Sequence, residues 1–201
     1  MYEKIIKKFV KLNSKKHERY NSWNHCYSAF KNETNEKILS LHLGFYLASW
    51  GMYRGSSKLL QKDYLVHLEA TRIIKKYWYL RCEQNNEVEI KHLDSILQLI
   101  KELSSYYKEE NNVTATDTLI SKIILGTLGC LPAFDRYFIE GVKNEGYSFK
   151  TFNVLVTKLV LYLSQGFVTL NSKLVKTLCV SNKSSQVFFE AVINLCIKTS
   201  T

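Results

Sequence analysis

The chain reads as an all-α protein, a compact multi-helix domain, on three observations. Proline occurs once and glycine eight times in 201 residues, whereas sandwiches and barrels need frequent turn residues. Apolar residues recur at helical spacing along most of the chain. Hydrophobic residues make up 46% of the composition, enough for a core in one domain of this length. Residues 1–201 are taken as a single helical domain, with a lobe division near Asn111, where surface-helix patterns give way to a more apolar C-terminal third.

Ile5, Ile6, Phe9 and Val10 predict a first helix near residues 2–13, with lysines on its other face. A second follows over Glu18 to Phe30, with Trp23, Tyr27 and Phe30 on one stripe. Thr34 or Asn35 caps a third that runs to Trp50 and stops at Gly51. Ser56 to about Cys82 carries a long helical pattern that Asn85-Asn86 breaks, and Asp94 to Tyr107 is amphipathic. After a loop at Asn111-Asn112, Thr116 or Asp117 starts a helix that Gly126 and Gly129 close, and Pro132 opens a short helix with Asp135 in its first turn. Ser148 caps a nearly all-apolar helix to Leu163, expected in the core. Gly166 and Asn171 punctuate the stretch beyond it, and a last helix carries Phe188, Ala191, Val192 and Leu195.

The formal charge is +10, a balance that favours phosphate backbones or anionic surfaces as partners and is also met in lysine-rich proteins with solvated surfaces. Thirteen tyrosines supply apolar bodies with polar handles, suited to a wet cleft. Cys26, Cys82, Cys130, Cys179 and Cys196 are scattered and form no C-x-x-C, which argues against a disulfide framework or a zinc site. No secretory signal is visible. The most apolar stretch, Phe152 to Leu163, is too short to span a bilayer, so a cytoplasmic protein with no membrane partner is expected.

Several chemistries lack their residues. Gly51-Met52-Tyr53-Arg54-Gly55-Ser56-Ser57-Lys58 has the wrong spacing for a phosphate loop, H-E-x-x-H is absent, and no Rossmann glycine fingerprint occurs. His67-Leu68-Glu69 matches half of a zinc-deaminase signature without the P-C-x-x-C that would complete it. No cofactor and no metal are expected.

The informative stretch is Thr118 to Phe138, TLISKIILGTLGCLPAFDRYF, in which Ser121-Lys122 sits on a helix and Asp135 follows Pro132. This order resembles the catalytic region of the helix-hairpin-helix DNA glycosylase superfamily, whose divergent bacterial members show a Ser-Lys helix followed by Pro-x-x-Asp. The resemblance covers about a tenth of the chain. It implies a glycosylase-like fold, Asp135 as the catalytic carboxylate and Lys122 as an amine nucleophile. Base excision passes through an oxocarbenium-like sugar that a carboxylate can stabilise, and a helix N-terminus keeps an aspartate ionised. The family's DNA-gripping hairpin has a Gly-rich turn before the lysine helix. Here that place reads Asn111-Asn112-Val113-Thr114-Ala115-Thr116.

A second cluster is His42, Tyr46, Trp50, Tyr53 and Arg54. The first four, at i, i+4, i+8 and i+11, share a helical face. Polar aromatics beside an arginine suit a pocket that stacks a base and contacts a phosphate. Trp23, His25 and Tyr27 form a similar group. The plain structural readings are core aromatics for the cluster and a helix-surface lysine for Lys122.

The function expected from these residues is a DNA glycosylase-like nucleic-acid-binding protein, with DNA favoured over RNA, that hydrolyses an N-glycosidic bond with Asp135. Two alternatives stand beside it: a non-catalytic DNA- or protein-binding module, and a metal-independent helical ribonuclease using Arg19 and His25 of Arg19-Tyr20-Asn21-Ser22-Trp23-Asn24-His25.

Overall fold

A computed structural model describes residues 16–19, 21–82, 89–144, 151, 153, 154, 156 and 157. Among these are six α-helices and no strand: α1 (Asn21–Asn32), α2 (Glu36–Ser49), α3 (Leu68–Lys76), α4 (Leu93–Ser105), α5 (Asp117–Thr127) and α6 (Arg136–Asn144). The expected helix near 2–13, the break at Asn85-Asn86, Gly166, Asn171 and the last helix lie outside the described residues, as does most of the apolar segment 148–163.

Helix α2 begins and ends where its residue chemistry dictates. The Asn35 side chain accepts from the Lys37 and Ile38 amides at 3.0 and 3.4 Å, satisfying donors that the first turn leaves unpaired. Gly51 takes a left-handed φ of 71°. The Gly51 amide returns to the Ala48 carbonyl and the Met52 amide to that of Leu47, at 2.9 and 2.8 Å, which is the Schellman arrangement. At the start of α5, Thr116 caps through its hydroxyl to the Leu119 amide at 3.1 Å.

The long helix expected over Ser56 to Cys82 is not one helix. Three short 3-10 turns (Gly55–Ser57, Leu59–Gln61 and Tyr64–His67) precede α3, and another (Trp78–Leu80) follows it. The apolar spacing is helical, but the backbone breaks locally. Lys58 is left-handed at φ 61°, Lys62 is extended, and the Asp63 side chain caps a fresh start by accepting from Leu65. The amphipathic helix expected to end at Tyr107 is α4 followed by a π turn, Tyr106–Glu110.

α2 packs against α1, the 64–67 turn, α3 and α5. Leu39, Leu43 and Leu47 of α2 join Ile96, Leu99 and Leu103 of α4 and Ile120, Ile123 and Ile124 of α5 in the core. Every residue of α5 from Leu119 to Thr127 is buried. Gly126 therefore lies inside α5 rather than closing it. A Cβ there would stand 2.8 Å from Cδ1 of Tyr46, so the glycine is what lets α5 approach α2. Gly129, at φ 67°, is the residue that ends the helix, its amide returning to the Ile124 carbonyl. A buried Arg81 lies 3.6 Å from the Tyr27 ring and 4.7 Å from that of Trp78, and donates to the Thr127 and Tyr27 carbonyls. It ties the 78–82 segment to α1 and α5.

Cys26 and Cys130 are buried and Cys82 half-buried, all three as free thiols. Among the described residues no group of His, Cys, Asp and Glu could hold a metal ion, and no helix is long and apolar enough to cross a membrane.

Candidate functional site

Lys122 is not a helix-surface lysine. Because α5 is enclosed on all sides, its side chain is only 5% exposed, and a buried ammonium needs partners. Its Nζ donates to the Trp50 carbonyl at 3.2 Å and lies 5.7 Å from the Trp50 ring centroid. Trp50 is the C-cap of α2, where helix carbonyls lack amide partners and the macrodipole is negative. The C-terminus of α2 is therefore a natural seat for this cation. Burial lowers the Lys122 pKa, the Asp135 carboxylate opposes that shift, and the Arg54 and Arg19 guanidiniums add to it.

Two hydroxyls bring Asp135 to this lysine. The Ser121 Oγ accepts from the Phe134 amide at 2.8 Å, and the Thr118 Oγ1 donates to the Phe134 carbonyl at 2.8 Å. With both sides of that residue fixed to α5, the charge of the next one is felt at Lys122. Asp135 stands one position ahead of α6 rather than in its first turn. Its Oδ1 accepts from the Phe138 amide at 3.1 Å, as an N-cap side chain does. The carboxylate is half-buried. Pro132 lies in the lead-in rather than opening the helix.

Arginines line the other side. Arg19 places its guanidinium carbon 4.9 Å from the Trp50 centroid, a cation–π distance. Arg54 folds back on Gly51, where a Cβ would stand 2.8 Å from its Nη2. Tyr46 is fully buried 6.5 Å from Trp50 and backs the site rather than lining a wet cleft. Lys122, Asp135, Trp50, Arg54 and Arg19 thus form one junction with three cations and one carboxylate.

The shared face proposed for His42, Tyr46, Trp50 and Tyr53 does not hold. α2 stops at Ser49 and the Gly51 turn redirects the chain, so Tyr53 is no longer in helical register. His42 lies two turns from Trp50, about 12 Å along the axis, and its charge is felt by Glu33 at the α1–α2 turn. The Tyr53 hydroxyl meets His67 on a different side of α2. Trp23 is buried, stacked on Tyr27 at 4.8 Å, and donates to the Leu125 carbonyl. His25 is exposed on α1, while Arg19 lies against Trp50.

The hairpin that would grip DNA is closed by its own contacts. Asn112 takes the left-handed conformation at φ 53°, which asparagine tolerates in place of glycine. The amides of Val113, Thr114 and Thr116 donate to the carbonyls of Tyr107, Ser57 and Thr114. Lys58 donates to the Asn112 side chain at 2.8 Å. Those three amides are committed within the protein, while Asn112, Thr114 and Thr116 remain exposed.

A polar network that the sequence pattern does not reveal sits on the other side of α2. His67 is fully buried, with Nε2 2.7 Å from the Tyr53 hydroxyl and Nδ1 2.6 Å from that of Tyr107. Burial lowers the His67 pKa to about 3, so the ring is neutral. Its tautomer is assigned from the network. The buried Tyr107 hydroxyl has His67 as its hydrogen-bond partner among the described residues. Leaving its proton unbonded would cost about 1–3 kcal/mol, so Tyr107 donates to Nδ1. Nε2 then carries the hydrogen and donates to Tyr53. Gly44 makes room, since a Cβ there would stand 3.2 Å from the Tyr53 hydroxyl and 3.3 Å from His67 Cδ2. In the sequence His67 stands out only as half of an incomplete zinc signature. The available signal is a histidine in a stretch rich in buried aliphatics, with tyrosines before and after it.

No family model, curated protein or solved structure matches the chain.

Proposed function

We propose that the protein binds nucleic acid at the Lys122 junction and, as the glycosylase resemblance implies, acts there on an N-glycosidic bond through Asp135. The supporting observation is the burial of the Lys122 ammonium against Trp50, with Asp135, Arg54 and Arg19 close enough to shift its pKa. The excess of cations draws a phosphate, and Trp50 supplies an aromatic face. A carboxylate beside that phosphate is placed to stabilise a sugar cation. The lowered pKa of Lys122 raises its share of nucleophilic free amine.

The test is base release from damaged or modified DNA, read as abasic sites. Asp135→Asn retains a capping side chain and is expected to abolish release while leaving binding intact. Release unchanged by Asp135→Asn would overturn the catalytic assignment. Lys122→Met is expected to weaken DNA binding and reduce its salt dependence.

A second reading, a non-catalytic binding module, draws support from the hairpin amides of Val113, Thr114 and Thr116, which are already bonded internally. Salt-dependent DNA binding by the wild-type protein with no base release would select it.

A further inference from the structure

The Tyr107–His67–Tyr53 chain runs in one direction, from two fully buried residues to a half-buried one. Tyr107 is fully buried, His67 is fully buried, and Tyr53 is half-buried. With Tyr107 donating to Nδ1 and Nε2–H donating to Tyr53, the Tyr53 oxygen is used as an acceptor and its own proton is not used within the chain. Accepting a hydrogen bond strengthens a hydroxyl as a donor. Burial first, and the Asp63 carboxylate second, raise the Tyr53 pKa, so the proton is retained at neutral pH.

The position of this hydroxyl limits what it can meet. Arg54, the next residue, is extended and turns its guanidinium onto Gly51 on the Lys122 side, whereas the Tyr53 hydroxyl lies at Gly44 and His67. A phosphate held at Arg54 would therefore stand on one side of the loop and Tyr53 on the other. Asp63 disfavours a second anion at Tyr53. A neutral acceptor fits there, and on the nucleic-acid reading that acceptor is the carbonyl oxygen or ring nitrogen of a nucleobase.

We propose that Tyr53 is a base-reading donor whose hydroxyl is held in that role by His67, a positioning residue, with Tyr107 behind it. This rests on the nucleic-acid reading above and adds a base contact to the phosphate contact. A nucleobase presents acceptors on its edges that a fixed donor can read, while the sugar-phosphate strand alone does not.

The experiment uses fluorescein-labelled single-stranded DNA and an otherwise identical strand of abasic tetrahydrofuran units. Tyr53→Phe is expected to weaken binding of the base-bearing strand roughly tenfold, the effect of one good hydrogen bond, and to leave the abasic strand unchanged. His67→Gln, whose amide can both accept from Tyr107 and donate to Tyr53, is expected to retain affinity, and His67→Leu to lose it. If His67→Leu does not fold, Tyr53→Phe and His67→Gln carry the test. Nitrogen-15 NMR of the full chain is expected to show His67 with hydrogen on Nε2. Hydrogen on Nδ1 would overturn the relay. Equal weakening of both strands, or no effect of Tyr53→Phe on a protein that binds DNA, would overturn the base contact alone. Wild-type protein that binds neither strand removes both this proposal and the reading on which it rests.

Discussion

Two polar centres flank α2, and they keep buried polarity in opposite ways. At the C-terminal end, Lys122 donates to a helix carbonyl beside a tryptophan face, and the Asp135 carboxylate opposes the fall in pKa that burial causes. On another side, His67 is neutral, and its two ring nitrogens are matched by two tyrosine hydroxyls. A charge survives burial only where opposite charge or oriented dipoles replace water. A neutral group needs only its hydrogen bonds completed. The charged centre is consequently built at a helix end and a chain reversal, partly open. The neutral one is closed on all but its Tyr53 end.

The strongest test of the contrast removes the neutral centre. His67→Leu strands the buried Tyr107 hydroxyl and is expected to cost on the order of 2–3 kcal/mol in urea unfolding. A loss below about 0.5 kcal/mol, the size of an ordinary surface substitution, would mean that the hydrogen bonds contribute little.

The pH dependence sharpens the same point. The unfolded chain protonates His67 near 6.5, while the native ring, with its pKa lowered to about 3, does not. The native state therefore binds fewer protons across that window. Its contribution is fully present above 6.5 and is lost as pH falls towards 3, up to about 1.4 kcal/mol per pH unit. Between about pH 7 and about pH 5 the wild type should lose roughly 2 kcal/mol more than His67→Gln. Parallel pH profiles for the two proteins would contradict a neutral buried imidazole.

On the charged side the close approach of α5 to α2 can be broken without touching a charge. Gly126→Ala puts a methyl into the Tyr46 ring and is expected to destabilise by about 1–3 kcal/mol, as overpacking does. It should also disturb Trp50, which is seen as a shift in tryptophan fluorescence. A neutral or stabilising result would show that Tyr46 yields easily.

The smallest expected effect separates cap from catalyst. Asp135→Ala removes the side chain that accepts from Phe138 and should cost about 1 kcal/mol more than Asp135→Asn, since both lose the charge near Lys122 and only Asn keeps a capping oxygen. Equal thermal unfolding of the two variants would indicate that the contact to Phe138 contributes nothing.

Much of the fold was legible because helix ends are written locally. Asn35 and Thr116 cap where they stand, and Gly51 and Gly129 take the left-handed turns that stop α2 and α5. The segment from Ser56 to Cys82 misled because its apolar spacing records burial, and several short turns can bury the same face as one helix. The charged junction was half legible. Lys122, Asp135, Trp50 and Arg54 stand out in the sequence, but in two unrelated groups, and His42 and Tyr53 fall in with residues they do not meet.

Composition and local pattern determined the helical character of the described residues, the ends of α2 and α5 and the residue types able to carry charge. Tertiary structure decided which of those residues share a space. Ser121 and Thr118 pin Phe134 so that the Asp135 charge is felt at Lys122, and Tyr53 turns to His67 instead of Trp50. The reason is one of range. Caps and turns are satisfied within a few residues, whereas a buried lysine or histidine finds its partners on elements that only the packed chain brings together.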